Sequence, residues 1–195
     1  MILFNDSAFI GGHTVLDFLN TVEDQDKQRN LNLIADWSSF VAWAQAASVF
    51  SQAQMEILNN GIPNSERVGL LLEIQELKET TYTALDGILS PETTKNIAFG
   101  KLECRIQTAI SDSSLVSQGL GFKWEPKSES LNWVVDFFVL LIENFLCHTD
   151  ITKLRVCKRC TWMFLNSGRG RGRQWCSMKT CGNRAKLVSF RERNQ

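Results

Sequence analysis

Four cysteines near the carboxyl terminus carry the clearest chemistry in this 195-residue chain. Cys157 and Cys160 are separated by two residues, fifteen residues follow, and Cys176 and Cys181 enclose four more. Two close pairs at this separation suit one tetrahedral zinc ion, because zinc takes four soft ligands at about 2.3 Å and a short turn presents two sulfurs at once. Four thiolates complete the coordination shell, so the expected ion is structural and leaves no position open for a reaction. The competing readings are four unrelated reduced thiols, or two disulfides in an oxidising compartment. Cys104 and Cys147 stand alone within helical patterns and read as buried core thiols.

Charge is distributed unevenly around these ligands. Lys and Arg total 21 and Asp and Glu total 21, yet residues 151–195 hold 12 of the bases and a single acid, Glu192. That segment is +11, or +9 with Zn2+ and four thiolates, and residues 1–150 are −11. A basic block of this density attracts polyanions through counterion release; the alternative is a solvated surface, or a tail that docks on its own acidic partner domain. Arg169, Arg171 and Arg173 alternate with glycines, which let a backbone follow phosphates closely. Lys179, followed by Asn183, Arg184, Lys186 and Arg191 on a helix expected after Cys181, completes the candidate nucleic-acid contacts. In a major groove Asn183 could read adenine and Arg184 guanine; equally, both could bond to backbone carbonyls and buttress the metal site. Trp162, Phe164 and Trp175 either stack on unpaired bases or form a miniature core.

Positioning these groups requires a small folded unit. Residues 161–165 are strand-like, Gln174 and Trp175 suit a second strand, and residues 182–188 suit a helix whose positive N-terminal end faces the thiolates. This is treble-clef-like architecture, and a 45-residue unit so poor in apolar residues draws much of its folding free energy from metal.

The rest of the chain, within a sequence that is 44% hydrophobic and 22% charged, reads mostly as helices. Thr14 can cap a helix carrying Val15, Leu16, Phe18, Leu19 and Val22, and Asp36 can cap a second with Trp37, Phe40, Val41 and Ala44 on one face. Ser51 and Gln54 form a capping box, and Gly61 suits a left-handed C-terminal position. A long helix through Val68, Leu71, Leu72 and Leu85 should end at Ser90-Pro91, and the next should turn Ile97, Leu102, Ile106 and Ile110 inward. Leu115-Val116 and Phe122-Lys123-Trp124 read as a β-hairpin, and residues 131–147 as the central core helix. The expected fold class is therefore α+β. A mostly helical domain with a small β-hairpin spans 1–150, and a zinc finger spans 151–195.

The motifs at both ends resemble known families. Cys157-x2-Cys160, Trp162-Met163-Phe164-Leu165, Arg173-x-Trp175-Cys176-Ser177-Met178 and Cys181-Gly182-Asn183-Arg184-Ala185-Lys186 resemble the CGNR zinc finger. Gly11-Gly12-His13 and Leu16-Asp17-Phe18-Leu19-Asn20-Thr21 resemble the start of the ABATE domain that precedes this finger in bacterial stress-induced transcription regulators. The resemblance implies one structural zinc ion, a DNA-binding finger, and a body that senses a small ligand or mediates dimerisation. Asn166-Ser167-Gly168 departs from the pattern, which has Asp followed by Ser-Arg, and this would weaken a loop contact.

Within the second motif, Asp17 and Asn20 fall on one face of the first helix, close to His13. The three either line a small-molecule site or act as a cap and as satisfied buried polar groups. No phosphate-binding glycine loop, nucleophile elbow or zinc-protease His-Glu pair accompanies them, and only two histidines exist, so no enzyme is expected. The longest apolar stretch, residues 133–147, contains Asp136 and Glu143 and falls short of the ~20 residues a membrane span needs. The start, Met-Ile-Leu-Phe-Asn-Asp, lacks the basic residues and cleavage site of a signal peptide, which points to the cytoplasm. The expected partner is duplex DNA; the alternatives are RNA, or a small-molecule protein or enzyme with a purely structural finger.

Overall fold

Caps and apolar spacing set the helices of this chain, and long-range backbone pairing sets how they group. A computed structural model describes residues 4–23, 27–89, 93–127, 130, 132–168 and 172–193. The chain forms two compact units, one made of Met1–Val49 with Asp150–Gln195 and the other of Phe50–Thr149.

The middle unit, residues 50–149, is built on helices. Helix α3, Gln52–Glu56, starts with a capping box in which Ser51 accepts from the Gln54 N–H and Gln54 accepts from the Ser51 N–H. It unwinds into a wide turn, Ile57–Gly61, and Gly61 does not adopt the left-handed conformation expected of it. Its lack of a side chain serves packing instead, since a Cβ there would lie 3.1 Å from Ile57 Cγ2.

Helix α4, Asn64–Leu89, buries Leu70, Leu71, Ile74, Leu77, Thr81, Ala84 and Leu85, while Val68 and Leu72 face solvent. Lys78 is also buried, its ammonium 3.8 Å from the Glu79 carboxylate. The expected stop at Ser90-Pro91 lies outside the described residues. Helix α5, Thr93–Ser111, packs on α4 and on the later helix Trp133–His148 and buries Ala98, Leu102 and Ala109, leaving Ile97 63% exposed. Leu102 points inward as expected and Ile106 and Ile110 are half-buried, whereas at the two ends of the stripe the smaller neighbours Ala98 and Ala109 take the buried positions.

Helix α6, Trp133–His148, is the core helix, with eight buried side chains from Trp133 to Phe145. Phe50 meets Trp133, Phe137 and Phe138 at ring separations of 5.5, 4.6 and 5.9 Å. Strands β3, Ser113–Gln118, and β4, Gly121–Pro126, form the expected hairpin, with Leu115 opposite Trp124. Cys104 and Cys147 are exposed rather than buried. Helical periodicity placed them in helices, but both fall on the solvent side.

The other unit is discontinuous in sequence. Helix α1, Thr14–Leu19, is capped by the His13 imidazole, which accepts from the Val15 N–H, so the cap lies one residue before Thr14. Strands β1, Val22–Glu23, and β2, Leu31–Asn32, pair antiparallel. Helix α2, Trp37–Ala46, follows the Asp36 cap and places Trp43 5.6 Å from Phe18. Strands β5, Leu154–Val156, and β6, Met163–Leu165, pair antiparallel and lead to helix α7, Asn183–Arg193.

The boundary at residue 150 is therefore one of two, and a division into 1–150 and 151–195 separates segments that fold together. Residues 1–49 belong with the finger because backbone groups at the free side of β6 take their partners from the amino-terminal segment. Among the described residues no helix is long and apolar enough to cross a membrane.

Candidate metal centre

The β5–β6 hairpin brings the first two cysteines together. Leu154 pairs with Leu165 and Val156 with Met163, and the connecting turn is closed by the Cys157 N–H donating to the Trp162 carbonyl at 2.9 Å. Within it the Arg159 N–H approaches Cys157 Sγ at 3.5 Å. The strand that pairs with β6 thus precedes the first cysteine. Gln174 and Trp175 form no strand, and the Gln174 carbonyl accepts one bond from the Lys158 N–H. A tight turn costs less closure entropy than the long Gly-Arg loop would, which favours the nearer partner.

The second pair sits where a turn becomes a helix. Ser177 accepts from the Lys179 N–H and opens a wide turn, Met178–Gly182, that runs directly into α7. The Gly182 N–H donates to the Ser177 carbonyl, and a Cβ on Gly182 would lie 2.7 Å from Met178 Sδ. Glycine therefore permits the close turn that carries Cys181.

The four Sγ atoms of Cys157, Cys160, Cys176 and Cys181 lie within 4.8 Å of one another, and all four residues are buried. Cys160 Sγ and Cys176 Sγ are 3.7 Å apart. Tetrahedral zinc with bonds of about 2.3 Å requires sulfurs about 3.8 Å apart, so the donor set fits. Phe164 closes the cluster, with Ile10, Trp162 and Trp175 packed against it.

Electrostatics agree with a cation at the centre. Hydrogen bonds from Cys160 and Cys176 draw the Cys157 thiol far below its ordinary range. Donation to Cys157 pushes Cys160 up to about 12, and donation to Cys157 and Cys160, with burial, holds Cys176 high. One buried thiolate is thus stabilised by its neighbours' protons, and a divalent cation would replace those protons while ionising all four sulfurs. The site is that of one structural zinc ion.

Residues 153–194 match the family model of the CGNR zinc finger. The match contains all four ligands, the wide turn and α7; residues 1–152 lie outside it. No curated protein matches the chain.

The finger uses two of the candidate nucleic-acid residues internally. The Arg173 guanidinium lies 3.9 Å from the Phe164 ring centroid and donates to the Ile10 carbonyl at 2.8 Å. Asn183 Nδ2 donates to the Lys179 carbonyl at 3.2 Å, which is the buttressing arrangement. Lys179, Arg184, Lys186 and Arg191 are exposed. Arg169 and Arg171 lie outside the described residues.

Asn166 keeps the loop contact that its departure from the family pattern put in doubt. Its carboxamide oxygen accepts from the Gly168 and Arg173 N–H groups at 3.2 and 3.1 Å. Gly172 completes the fit at φ +68, and a Cβ there would collide with the Asn166 carboxamide.

Asn20, and Asp17 through Gly11, form the seat of the finger, and His13 caps α1 beside them. Asn20 Nδ2 donates to the Met163 carbonyl and Asn20 Oδ1 accepts from the Met163 N–H, both at 2.8 Å, so one side chain imitates a strand partner along β6. Asp17 Oδ1 accepts from the buried Gly11 N–H at 2.7 Å, and the Gly11 carbonyl accepts from the Leu165 N–H at 2.8 Å. Burial raises the Asp17 carboxyl to about 6, opposed by the backbone bonds from Gly11 and Ile10. Burial likewise lowers the pKa of His13, whose imidazole caps α1.

Two further contacts escaped the sequence reading. The Trp162 indole donates to the Val22 carbonyl at 2.8 Å, and Arg29 donates to the Leu19 carbonyl at 2.8 Å and to Thr161 Oγ1 at 3.3 Å. The nearest signal was Gly11-Gly12, where Gly12 adopts φ +83 against Leu165.

Proposed function

We propose that the CGNR finger binds nucleic acid, duplex DNA above all, and that the chain is a cytoplasmic, non-enzymatic transcription regulator. Residues 1–150 would sense a small ligand or mediate dimerisation, as the ABATE resemblance and its link to stress-induced regulators imply. The observation that carries this reading is α7, which leaves the metal site, buries none of its residues, and exposes Arg184, Lys186 and Arg191. A helix anchored at one end and exposing bases along its length suits insertion beside a polyanion. Duplex DNA is favoured over single-stranded RNA because Trp162 and Trp175 pack against the cysteine cluster, which removes them as stacking platforms.

Fluorescence anisotropy of zinc-loaded full-length protein on random duplex DNA tests this. With Lys179, Arg184, Lys186 and Arg191 as phosphate contacts, log affinity should fall against log salt with a slope of about −3 to −4, steeper if Arg169 and Arg171 also engage. Arg184→Ala and Lys186→Ala should each make the slope shallower by about 1 if the side chain meets phosphate. Salt-insensitive binding, or tighter binding to single-stranded RNA, would overturn the duplex reading.

A further inference from the structure

The middle unit holds an apolar cleft unrelated to the metal site. Pairing of β3 with β4 places Leu115, Phe122 and Trp124 on one face of the hairpin. That face meets a second stripe of α6, in which Phe137, Leu140, Leu141 and Asn144 recur at helical spacing. Two apolar faces of this kind gain by closing on each other. Here they leave a cleft of about 400 Å³, with Leu115 55% and Phe122 72% exposed. The volume matches that of sites for small organic ligands.

Charge narrows the occupant. In the cleft lining Lys123 lies 3.9 Å from Glu125 and offsets its charge. His148 Nδ1 stands 3.1 Å from the Asn144 carbonyl oxygen. Glu143 is engaged by the Cys147 thiol, a neutral partner. The faces of Phe122, Trp124 and Phe137 add the negative potential of aromatic rings. The whole unit carries 13 acidic and 7 basic residues, a net charge of −6. This environment attracts cations and repels anions.

We propose that the cleft binds an amphipathic organic cation, an aromatic or aliphatic amine or onium compound. Its apolar body lies between Phe122, Trp124 and Phe137, and its charge faces Glu143. The proposal rests on the reading of residues 1–150, which include the middle unit, as a ligand-responsive body, and its test needs no DNA, so a finger that failed to bind DNA would leave the result unchanged.

Zinc-loaded full-length protein would be titrated calorimetrically at pH 8 with tetraphenylphosphonium and with neutral triphenylphosphine oxide, which share an aryl body. The cation should bind roughly 10-fold more tightly than the oxide, the combined effect of ring faces and one carboxylate. Glu143→Gln should weaken the cation about 5-fold and leave the oxide unchanged. Phe122→Ala, at a position too exposed to endanger folding, should weaken both ligands about 5-fold. Equal affinities for the two ligands, or cation binding that neither substitution alters, would overturn the proposal.

Discussion

The 16-residue α6 buries eight side chains, whereas the 11-residue α7 buries none. Each fully buried aliphatic or aromatic side chain contributes about 1.5–3 kcal/mol, so α6 is held by its own sequence against the rest of the middle unit. An isolated helix as short as α7 is marginal in water. What anchors its first residue is the metal turn that runs into it and carries Cys181. The contrast extends to the two regions that contain these helices. The middle unit is stabilised by area, and the finger by four metal bonds and a few buried hydrogen bonds to the amino-terminal segment. A surface freed from core duty can gather bases, and α7 exposes Arg184, Lys186, Arg191 and Arg193 beside the apolar Leu187, Val188 and Phe190.

Breaking the metal site should produce the largest effect and confine it to one region. Cys181→Ala should reduce bound zinc from one per chain to none, since metal binding supplies about 10 kcal/mol or more to such modules. By hydrogen exchange with mass spectrometry, amides of β5, β6 and α7 should lose protection while those of α4 and α6 keep it. Retained stoichiometric zinc would show that three cysteines suffice. Loss of protection throughout the chain would show that the middle unit also depends on the metal.

A smaller effect is expected where the finger meets its seat. Asn20→Ala leaves the Met163 N–H and carbonyl without the partner that satisfies both, in a buried position. Two unsatisfied backbone groups cost about 2–4 kcal/mol. Denaturant unfolding of zinc-loaded protein should show this as a lower midpoint for the transition that reports the finger, with the middle unit unmoved. A loss below about 0.5 kcal/mol would mean that water replaces the carboxamide, and that the seat rests on Trp162 and Arg29 instead.

How much of this was legible follows from the range of each interaction. The cysteine spacing, the caps at Asp36 and Ser51, the β3–β4 hairpin and α6 are local patterns, and each stands where the sequence put it. Periodicity also placed α5 and turned Leu102 inward, but it missed that Ala98 rather than Ile97 is buried, because it groups positions on a face without saying which side chains at its edge meet a neighbour. The same limit explains the exposure of Cys104 and Cys147. The seat was beyond local pattern altogether: Asn20 and Met163 are 143 positions apart, and an Asn at the end of an apolar helix looks the same whether it binds a ligand or a strand. Pattern matching to the finger cannot supply this either, since the matched residues begin at 153.

Asp17 offers the finest test of how that seat works, because its charge opposes what its geometry supports. The carboxyl titrates near 6 in the folded chain, against about 3.9 in an unfolded one. Between those values the folded state binds more protons than the unfolded state, so this residue's contribution to stability falls as pH rises and its full penalty is reached above about pH 7. Asn at this position keeps an acceptor for the Gly11 N–H and removes the charge. Asp17→Asn should therefore stabilise the zinc-loaded protein at pH 7.5, and its advantage over the parent should grow by about 1 kcal/mol between pH 5 and pH 7.5. Acid also weakens thiolate–zinc bonds, but it does so in both proteins, and the difference between their unfolding free energies isolates the carboxyl. An advantage that stays flat across this range would mean that the backbone N–H groups of Gly11 and Ile10 stabilise the carboxylate fully, and that burial of Asp17 costs the seat nothing.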